Sequence, residues 1–356
     1  MPKAPETAAL PPFPEVTSQF EDWLRARIHV NEADLAYKHE QMDTGVFPFM
    51  RATFYRWMQL WPVLCPKLAA APSVLAVGDL HVDNFGTWRD NEGRLIWGVN
   101  DFDEAYPLPY TLDLVRLAAS IRMSIAIDRL KLTPRLACDV MLAGYRSAIE
   151  RGGRPFVLAE NHPVLRREAG GVLRDPVRFW QGLTALPDEK DPPAEAVAML
   201  RAAVPKEVEP RYVPRRAGLG SLGHPRVVAL GEHHGGYIAR EAKALAPSAC
   251  IWAAGGEGTA IHYATIVRRA VRDADPFLQL RGGWVVRRLA PDCSRIVATT
   301  VQTVREQEEL ARAMGVETAN IHLGAAPSRI DELRRDLAAR PEGWLRSASK
   351  AMARAT

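Results

Sequence analysis

The sequence predicts an α+β protein with a mainly helical lobe and a smaller lobe of antiparallel strands. Apolar residues recur at helical spacing before residue 152, whereas short runs typical of strands follow residue 226. Between them, residues 186–216 hold six prolines and many charges, which favours a boundary. We therefore expect a flexible tail at 1–16, a helical lobe at 17–205, a β-rich lobe at 206–298 and C-terminal helices at 299–356 that pack on the helical lobe.

Several helix boundaries in the first lobe are indicated by local signals. Ser18-x-x-Glu21 has the form of a capping box and predicts a helix start near residue 18. Pro62 is expected to end or kink a helix that begins near Ala52. Thr133 followed by Pro134 combines an N-cap with proline at the first helical position. Further helices are expected at Asp113–Arg129, from Thr133 to about Arg151, and around Ala194–Ala203.

The second lobe reads mainly as short strands. Strands are expected at Val227–Leu230, Tyr237–Ala242, Phe277–Leu280 and Trp284–Leu289, with helical periodicity between Gly258 and Arg272. Helical patterns return near Thr303 and again from Ser328 to the end.

Composition limits the classes of protein. The formal net charge of +4 is spread along the chain, which does not favour nucleic-acid binding, although an anionic substrate would suit it. Four cysteines without CxxC spacing fit reduced thiols rather than a zinc or disulfide framework. No apolar run approaches the roughly 18 residues of a membrane span. We expect a cytoplasmic protein that binds neither nucleic acid nor membrane.

Residues 74–105 contain the densest group of chemically active side chains. A short apolar strand ends at Gly78, and the loop after it carries Asp79, His81 and Asn84. The turn at 90–93 then leads into Leu95–Val99, so a hairpin is the natural interpretation. Its return strand ends in Asn-Asp-Phe-Asp-Glu. The hairpin would bring the loop beside Asp101 and Asp103, and such a cluster of hard oxygen ligands suits Mg²⁺.

An acid, an amide five residues later and further acids after a hairpin fit phosphoryl transfer. In that reaction one carboxylate orients the hydroxyl nucleophile, while an Asn and an Asp hold Mg²⁺ against the phosphates. Asp79, Asn84 and Asp101 have this spacing. The alternative is that Asp and Asn in the loop only cap or turn the backbone. His81, taken alone, more often fixes a loop by hydrogen bonding than acts as base or ligand.

A second candidate segment is Gly218-Leu219-Gly220-Ser221-Leu222-Gly223. A dinucleotide-binding reading requires a helix directly after the glycines, whereas a strand follows here. A glycine-rich flap over nucleotide phosphates, between two antiparallel strands, fits the pattern better. The remaining alternative is a tight hairpin that uses glycine for positive φ. As a flap, the segment would bind phosphate through Gly218, Gly220, Ser221 and Gly223.

Such a flap requires a cation on the following strand to hold the phosphates. Arg240 and Lys243 are the candidates, and strand alternation allows only one of them to face the cleft. Lys243 is the usual chemical type. An arginine would still grip phosphate, but it is not equivalent to a lysine.

The motifs resemble those of known families. Gly78–Asn84 and Asn100–Ala105 are similar to the loop and metal motifs of aminoglycoside and choline phosphotransferases, although Val77 stands where those motifs have histidine. The same segments and the later glycine run resemble an uncharacterised bacterial family, domain of unknown function 2252, from about Lys38 to His322. In that family the position of Arg240 usually holds lysine, which favours Arg240 as the cation. Arg288 and His322 stand at family-like positions without an assigned role.

The phosphotransferase resemblance implies a protein-kinase-like, two-lobed fold that uses ATP and Mg²⁺. It implies Asp79 as catalytic base, with Asn84 and Asp101 as metal ligands. In kinases the flap and lysine precede the catalytic loop, whereas here they follow it, so the lobes would be circularly permuted. The expected function is transfer of a phosphoryl group from ATP, or of AMP, to an unknown hydroxyl acceptor. The alternatives are a metal-dependent phosphohydrolase and a non-catalytic nucleotide-binding protein.

Overall fold

The computed structural model describes residues 10–158, 162–169, 175–293 and 303–356 of the chain. These residues form a mixed α+β structure in which helices predominate and the strands pair antiparallel in three sheets. The coarse fold class expected from the sequence is therefore confirmed. No helix in the described ranges is both long and apolar enough to cross a bilayer.

The elements are numbered here in chain order. The helices are α1 (Phe13–Arg25), α2 (Glu32–Met42), α3 (Val46–Ala52), α4 (Phe54–Leu64), α5 (Pro66–Ala69), α6 (Tyr110–Ala126), α7 (Pro134–Arg151), α8 (Pro163–Ala169), α9 (Pro176–Thr184), α10 (Ala194–Ala203), α11 (Ala249–Ala253), α12 (Tyr263–Arg269), α13 (Val304–Ala325), α14 (Ile330–Ala339) and α15 (Trp344–Ala355). The strands are β1 (Ser73–Ala76), β2 (Phe85–Arg89), β3 (Leu95–Val99), β4 (Tyr106–Pro109), β5 (Phe156–Val157), β6 (Arg211–Pro214), β7 (Arg226–His233), β8 (Gly236–Ala244), β9 (Gln279–Arg281) and β10 (Trp284–Leu289).

The largest hydrophobic core surrounds α6, whose residues from Tyr110 to Ile121 are all buried. Helices α7, α13 and α15 pack against it. Helix α13 lies so close to α7 that a Cβ at Gly315 would come within 2.0 Å of the Met141 carbonyl oxygen. A Cβ at Gly144 would likewise come within 2.3 Å of the Arg312 carbonyl oxygen. The C-terminal helices therefore complete the core that the N-terminal half begins.

A five-stranded antiparallel sheet, in the order β6-β7-β8-β10-β9, forms the second body. Helix α10 covers one face, where Leu200 packs with Val227 and Val286. Alternation along β8 turns Lys243 to the other face, which looks toward the loop after β1. Two small sheets flank that loop: β1 pairs with β4, and β2, β3 and β5 form the other.

Some boundaries differ from the sequence expectation. Helix α1 begins at Phe13, not near Ser18, because the prolines at its first turn preset helical φ. Helix α4 continues through Pro62, which removes one hydrogen bond but does not stop the last turn from closing at Cys65. Residues 1–9 of the expected tail lie outside the described residues.

Other boundaries agree with expectation or shift by a few residues. The hairpin of β2 and β3, the capped start of α7 at Thr133, helix α10 and strand β10 are confirmed. Helix α6 begins at Tyr110, three residues before Asp113. Strand β9 begins only at Gln279, because the Asp275 carboxylate turns the backbone by accepting a hydrogen bond from the Phe277 amide.

Candidate functional site

One cleft is lined by both segments that the sequence singles out. We call it the acidic cleft; the predicted residues that line it are Asp79, His81, Asn84, Asp101, Asp103, Gly218, Gly220 and Ser221. More than a hundred residues of sequence separate the acids from the glycines. Their meeting in one groove is therefore a property of the tertiary fold. The cavity inside the cleft measures about 50 Å³, enough for one or two water molecules.

The loop after β1 is held by a buried carboxylate. Asp113 of α6 accepts hydrogen bonds from the amides of Val77 at 2.8 Å and Gly78 at 2.9 Å. His322 of α13 places Nε2 at 3.0 Å from the same carboxylate, and its Nδ1 lies 2.9 Å from the Tyr145 hydroxyl. Both contacts are satisfied when Nε2 carries the proton. His322 thus has a clear structural role, which the sequence did not assign.

Gly78 is required by its surroundings. Its φ of +82° lies in the left-handed region, and a Cβ there would come within 2.4 Å of the Glu104 carbonyl oxygen. The close approach fixes the start of the loop against the segment that carries Asp101 and Asp103.

Asp79 is paired with a buried arginine that the sequence analysis missed. Arg116 of α6 is fully buried and donates from Nε to Asp79 Oδ1 at 2.7 Å, with a second, shorter contact from Nη2. The same guanidinium donates to the Met50 carbonyl at 2.9 Å and lies over the Trp57 ring. Burial raises the pKa of Asp79, although Arg116 opposes this. The second oxygen, Oδ2, faces Gly220: a Cβ built on that glycine would lie 3.3 Å from it.

His81 and Asn84 make hydrogen bonds within the loop. Asn84 donates to the Asp79 carbonyl oxygen at 2.6 Å, and His81 Nδ1 accepts from the Asp83 amide at 3.2 Å. Asp83 in turn pairs with Arg51 at 3.2 Å and Arg129 at 2.9 Å. These contacts give His81 the loop-fixing geometry that was one of its two interpretations, while its ring still lines the cleft.

Asp101 and Asp103 converge on Lys243. The ammonium lies 2.6 Å from Asp103 Oδ1 and 3.3 Å from Asp101 Oδ1, and its side chain is 3% exposed. Burial, followed by repulsion from Asp101, raises the pKa of Asp103 to about 6. Because the two carboxylates already hold one cation, the pair is arranged to bind positive charge.

Arg240 does not reach the cleft, so the expectation that favoured it is wrong. It stands three residues before Lys243, and strand alternation turns its side chain to the opposite face. There its guanidinium lies 4.3 Å above the Phe277 ring and donates to the Ala239 carbonyl. Lys243 is the cation beside the acids.

The glycine loop, residues 218–223, connects the antiparallel strands β6 and β7 through a short 3₁₀ turn. A strand follows the glycines, so this is not the strand-to-helix turn of a dinucleotide site. Gly218 and Gly223 have positive φ, and the geometry agrees with both remaining interpretations, the glycine-rich flap and the hairpin. Gly220 approaches Asp79, and its carbonyl accepts from Lys38 Nζ at 3.0 Å. Gly223 instead packs toward Val30 and Leu35, so it shapes the turn and does not line the cleft.

Glu104 is a further acid of the cleft that the sequence analysis did not single out. Its carboxylate accepts from Ser248 Oγ at 2.7 Å and from the Ala249 amide at 2.8 Å. Burial nevertheless raises the pKa of Glu104 from 4.5 to about 7. The folded state therefore favours the protonated form, and this contribution to stability is lost as the pH rises through about 7.

Replacing Glu104 with glutamine is expected to remove this pH dependence. Glutamine keeps the acceptor oxygen but cannot ionise, so the variant should gain about 3 kcal/mol relative to the unaltered protein between pH 4.5 and pH 8. Urea denaturation across that range measures the difference. The exposed Glu342→Gln is the control, and its stability relative to the unaltered protein should not change with pH. If the stability of Glu104→Gln relative to the unaltered protein is also independent of pH, the assigned burial effect is contradicted.

A dinuclear metal hydrolase requires additional histidine ligands near Asp79. Within the described ranges, one group of three His, Cys, Asp or Glu residues has ligand atoms within 4.8 Å of one another: Glu207, His233 and His234. They lie at or near the turn between β7 and β8, and none of them lines the acidic cleft. His81 and His224 line the cleft, but among the described residues they do not belong to a group of three such ligands, so the ligand set of that class is not assembled there.

Comparison with known proteins gives one match. The family model described as "Uncharacterized protein conserved in bacteria (DUF2252)" matches residues 30–162. This range is narrower than the Lys38 to His322 expected from the motifs, and it ends before the glycine loop. No curated protein and no solved structure matches the chain. The matched residues carry Asp79, Asp101 and Asp103 of the acidic cleft, and over this range the chain is similar to domain of unknown function 2252.

Proposed function

We propose that this protein is a magnesium- and ATP-dependent phosphotransferase that acts on a hydroxyl acceptor. The observation that carries the proposal is the convergence of three separate segments. The loop with Asp79, the hairpin end with Asp101 and Asp103, and strand β8 with Lys243 meet beneath the glycine loop. Phosphoryl transfer from ATP needs these parts: a base, acidic metal ligands, a cation and a glycine-rich flap.

The donor set fits magnesium. Asp101 and Asp103 supply hard carboxylate oxygens, and Asn84 adds a nearby amide. Their present contact with the Lys243 ammonium supports a cation site at this position. When bound, Mg²⁺ would neutralise charge on the nucleotide phosphates. The metal ligands would be Asp101, Asp103 and Asn84.

The chain's own residues then have the following roles. Arg116 fixes Oδ1 of Asp79 and leaves Oδ2 directed at the cleft, where it would orient the acceptor hydroxyl and take its proton. The acceptor oxygen forms a bond to the γ-phosphorus as the bond to the β-phosphate oxygen breaks, releasing ADP. Lys243 would move from the acids to the phosphates, and the amides of the glycine loop would cover them.

The order of the parts supports a kinase-like arrangement with permuted lobes. The glycine loop joins the first two strands of the five-stranded sheet, and Lys243 lies on the third. Kinases place these two features on the corresponding strands. Here this sheet follows the acid loop in sequence. Permutation is compatible with folding because each lobe is a compact unit with surface connections.

The cleft is closed in this conformation. A cavity of about 50 Å³ is far below the several hundred cubic ångströms of a typical ligand pocket. Lys38 holds the Gly220 carbonyl, and the Asn31 amide donates to the Gly223 carbonyl at 2.8 Å. Nucleotide binding would therefore require the glycine loop to move away from Asp79.

The function is tested by nucleotide binding to the Asp101→Asn variant. ATP with Mg²⁺ is expected to raise the melting temperature of the unaltered protein, because it binds only the native state. The variant should lose at least about tenfold in affinity, the weight of one charge-assisted contact. Calorimetric titration measures the affinity.

The exposed Asp139→Asn on α7 is the matched control, since it also removes one carboxylate. Equal ATP affinity in all three proteins would defeat the proposal. Stabilisation by Mn²⁺ or Zn²⁺ without nucleotide would favour a hydrolase instead.

A second candidate function, nucleotide binding without catalysis, is favoured by one observation. Two donor atoms of Arg116 contact the same oxygen of Asp79 and oppose the rise in its pKa that burial causes. A carboxylate with this partner accepts a proton less readily than the same buried carboxylate would without it. Turnover of the Asp79 variant separates the two functions.

A further inference from the structure

A second cavity lies beside the acidic cleft, and its charge differs from that of the cleft. It measures about 430 Å³ and is lined by four arginines: Arg215, Arg272, Arg287 and Arg288. We call it the arginine cavity. Gly218 lines both cavities, and Asn100 and Phe102, which flank Asp101, line the second one. A ligand could therefore reach from one to the other beneath the glycine loop.

Arg215 and Arg287 of the cavity contact the same carboxylate, and Arg226, which is outside the cavity lining, contacts it as well. Glu241 of β8 is fully buried and is contacted by Arg215, by Arg226 at 2.8 Å and by Arg287 at 2.7 Å. One negative charge therefore faces three positive ones. The cluster keeps an excess of positive charge, and Arg215 and Arg287 present it to the cavity.

Arg272 lacks a carboxylate partner within 4.0 Å among the described residues. Its guanidinium lies 4.2 Å above the Trp88 ring and donates to the Val99 carbonyl at 2.9 Å. Its Nε is buried without a hydrogen-bond partner in the same part of the chain. Glu317 and Asp275 act on Arg272 electrostatically, but neither carboxylate is within ion-pair distance of it among the described residues. A buried cation without an ion-pair partner is unfavourable, so an anion bound in the cavity would stabilise it.

The nearby acids only partly offset this charge. Asp292 lies 3.5 Å from Arg288. Asp275 also lines the cavity, but burial raises the pKa of its carboxyl, and it accepts a hydrogen bond from the Phe277 amide at 2.9 Å. Neither carboxylate lies within ion-pair distance of Arg272 in the described ranges.

We propose that the arginine cavity is an anion subsite that binds a phosphate-bearing group, with Arg272 as its principal cation. Guanidinium groups match phosphate geometry and grip it with paired hydrogen bonds. Aromatic side chains, among them Trp88, Phe102 and Phe179, line the same cavity and would contact the apolar part of such a ligand. The inference deepens the proposed function and rests on it for the source of the group: the phosphates of the nucleotide or those of a phosphorylated acceptor.

The subsite is tested with inorganic tripolyphosphate, without metal, on three proteins. Arg272→Met keeps the aliphatic stem against Trp88 and removes the charge, and it should weaken tripolyphosphate binding by about tenfold or more. Arg281→Met removes an exposed arginine of the same sheet outside the cavity and should change the affinity less than twofold. Calorimetric titration measures both.

The melting temperature without ligand separates a binding role from a structural one. If Arg272 serves a ligand, Arg272→Met should melt close to the temperature of the unaltered protein, because the lost hydrogen bond to the Val99 carbonyl is offset by removal of a buried cation without an ion-pair partner. A lower melting temperature together with unchanged tripolyphosphate affinity would overturn the inference.

Two further measurements are needed. One identifies the source of the bound phosphate, and the other shows whether the subsite exists even if the proposed function is wrong. Competition of tripolyphosphate with ATP would assign the subsite to the nucleotide, whereas glucose 6-phosphate binding beside a non-hydrolysable ATP analogue would assign it to an acceptor. Asp101→Asn should leave metal-free tripolyphosphate binding intact. If ATP binding fails everywhere but tripolyphosphate still depends on Arg272, the subsite stands without the kinase-like proposal.

Discussion

Replacing Asp79 with asparagine is expected to lower the rate of ADP formation by at least about a hundredfold, the usual contribution of a positioned general base. Asparagine retains an oxygen that can accept from Arg116, so the loop should keep its place. What is lost is the proton acceptor directed at the cleft. The measurement is ADP release at saturating ATP and Mg²⁺, with the melting temperature recorded for each protein.

The control for this experiment is Asp139→Asn, which changes an exposed carboxylate on α7 that does not line the cleft. It should turn over at the rate of the unaltered protein. If Asp79→Asn does so as well, while its ATP affinity and melting temperature are unchanged, Asp79 is not the base. The non-catalytic interpretation would then be the better one.

The sequence predicts local parts of the site well because short motifs carry them. The acid loop is defined by a strand, a glycine and polar residues within a few positions, and the hairpin after it by its turn. Both are present where the pattern placed them. The glycine loop is likewise flanked by strands, as the residues after it indicated.

The choice between Arg240 and Lys243 could not be made from sequence. Alternation shows that the two side chains lie on opposite faces of β8, but not which face meets the acids. That depends on how the whole sheet sits on the helical body. Family position favoured Arg240, and the packing of the sheet selected Lys243.

The residues that support the site are harder to predict from sequence, and the strength of the sequence signal differs among them. Arg116 is surrounded in sequence by apolar residues of α6, with Asp113 one turn before it, and a charge in such a position indicates a buried, paired cation. Lys38 gave no such signal, because α2 is rich in charged residues. His322 lies more than two hundred residues from Asp113, so only the packing of α13 on the core brings them together.

The brace formed by Asp113 has consequences for stability as well as for the site. One of its oxygens serves the Gly78 amide, and the other serves the Val77 amide and His322. All of its partners are donors, so no orientation of an amide side chain can satisfy them. The position therefore requires a carboxylate, whose two oxygens both accept, in a fully buried place.

Asp113→Asn is accordingly expected to lower the free energy of unfolding by about 2–3 kcal/mol, the cost of leaving one or two buried donors without an acceptor. The new NH₂ group would face either the Gly78 amide or the Val77 amide and His322, leaving donors unpaired in the core. Urea denaturation measures the change, and the exposed Asp139→Asn should stay within about 0.5 kcal/mol. Because the Gly78 amide is held one residue before Asp79, turnover should fall as well. A stable Asp113→Asn protein with full activity would mean that the loop keeps its geometry without the brace.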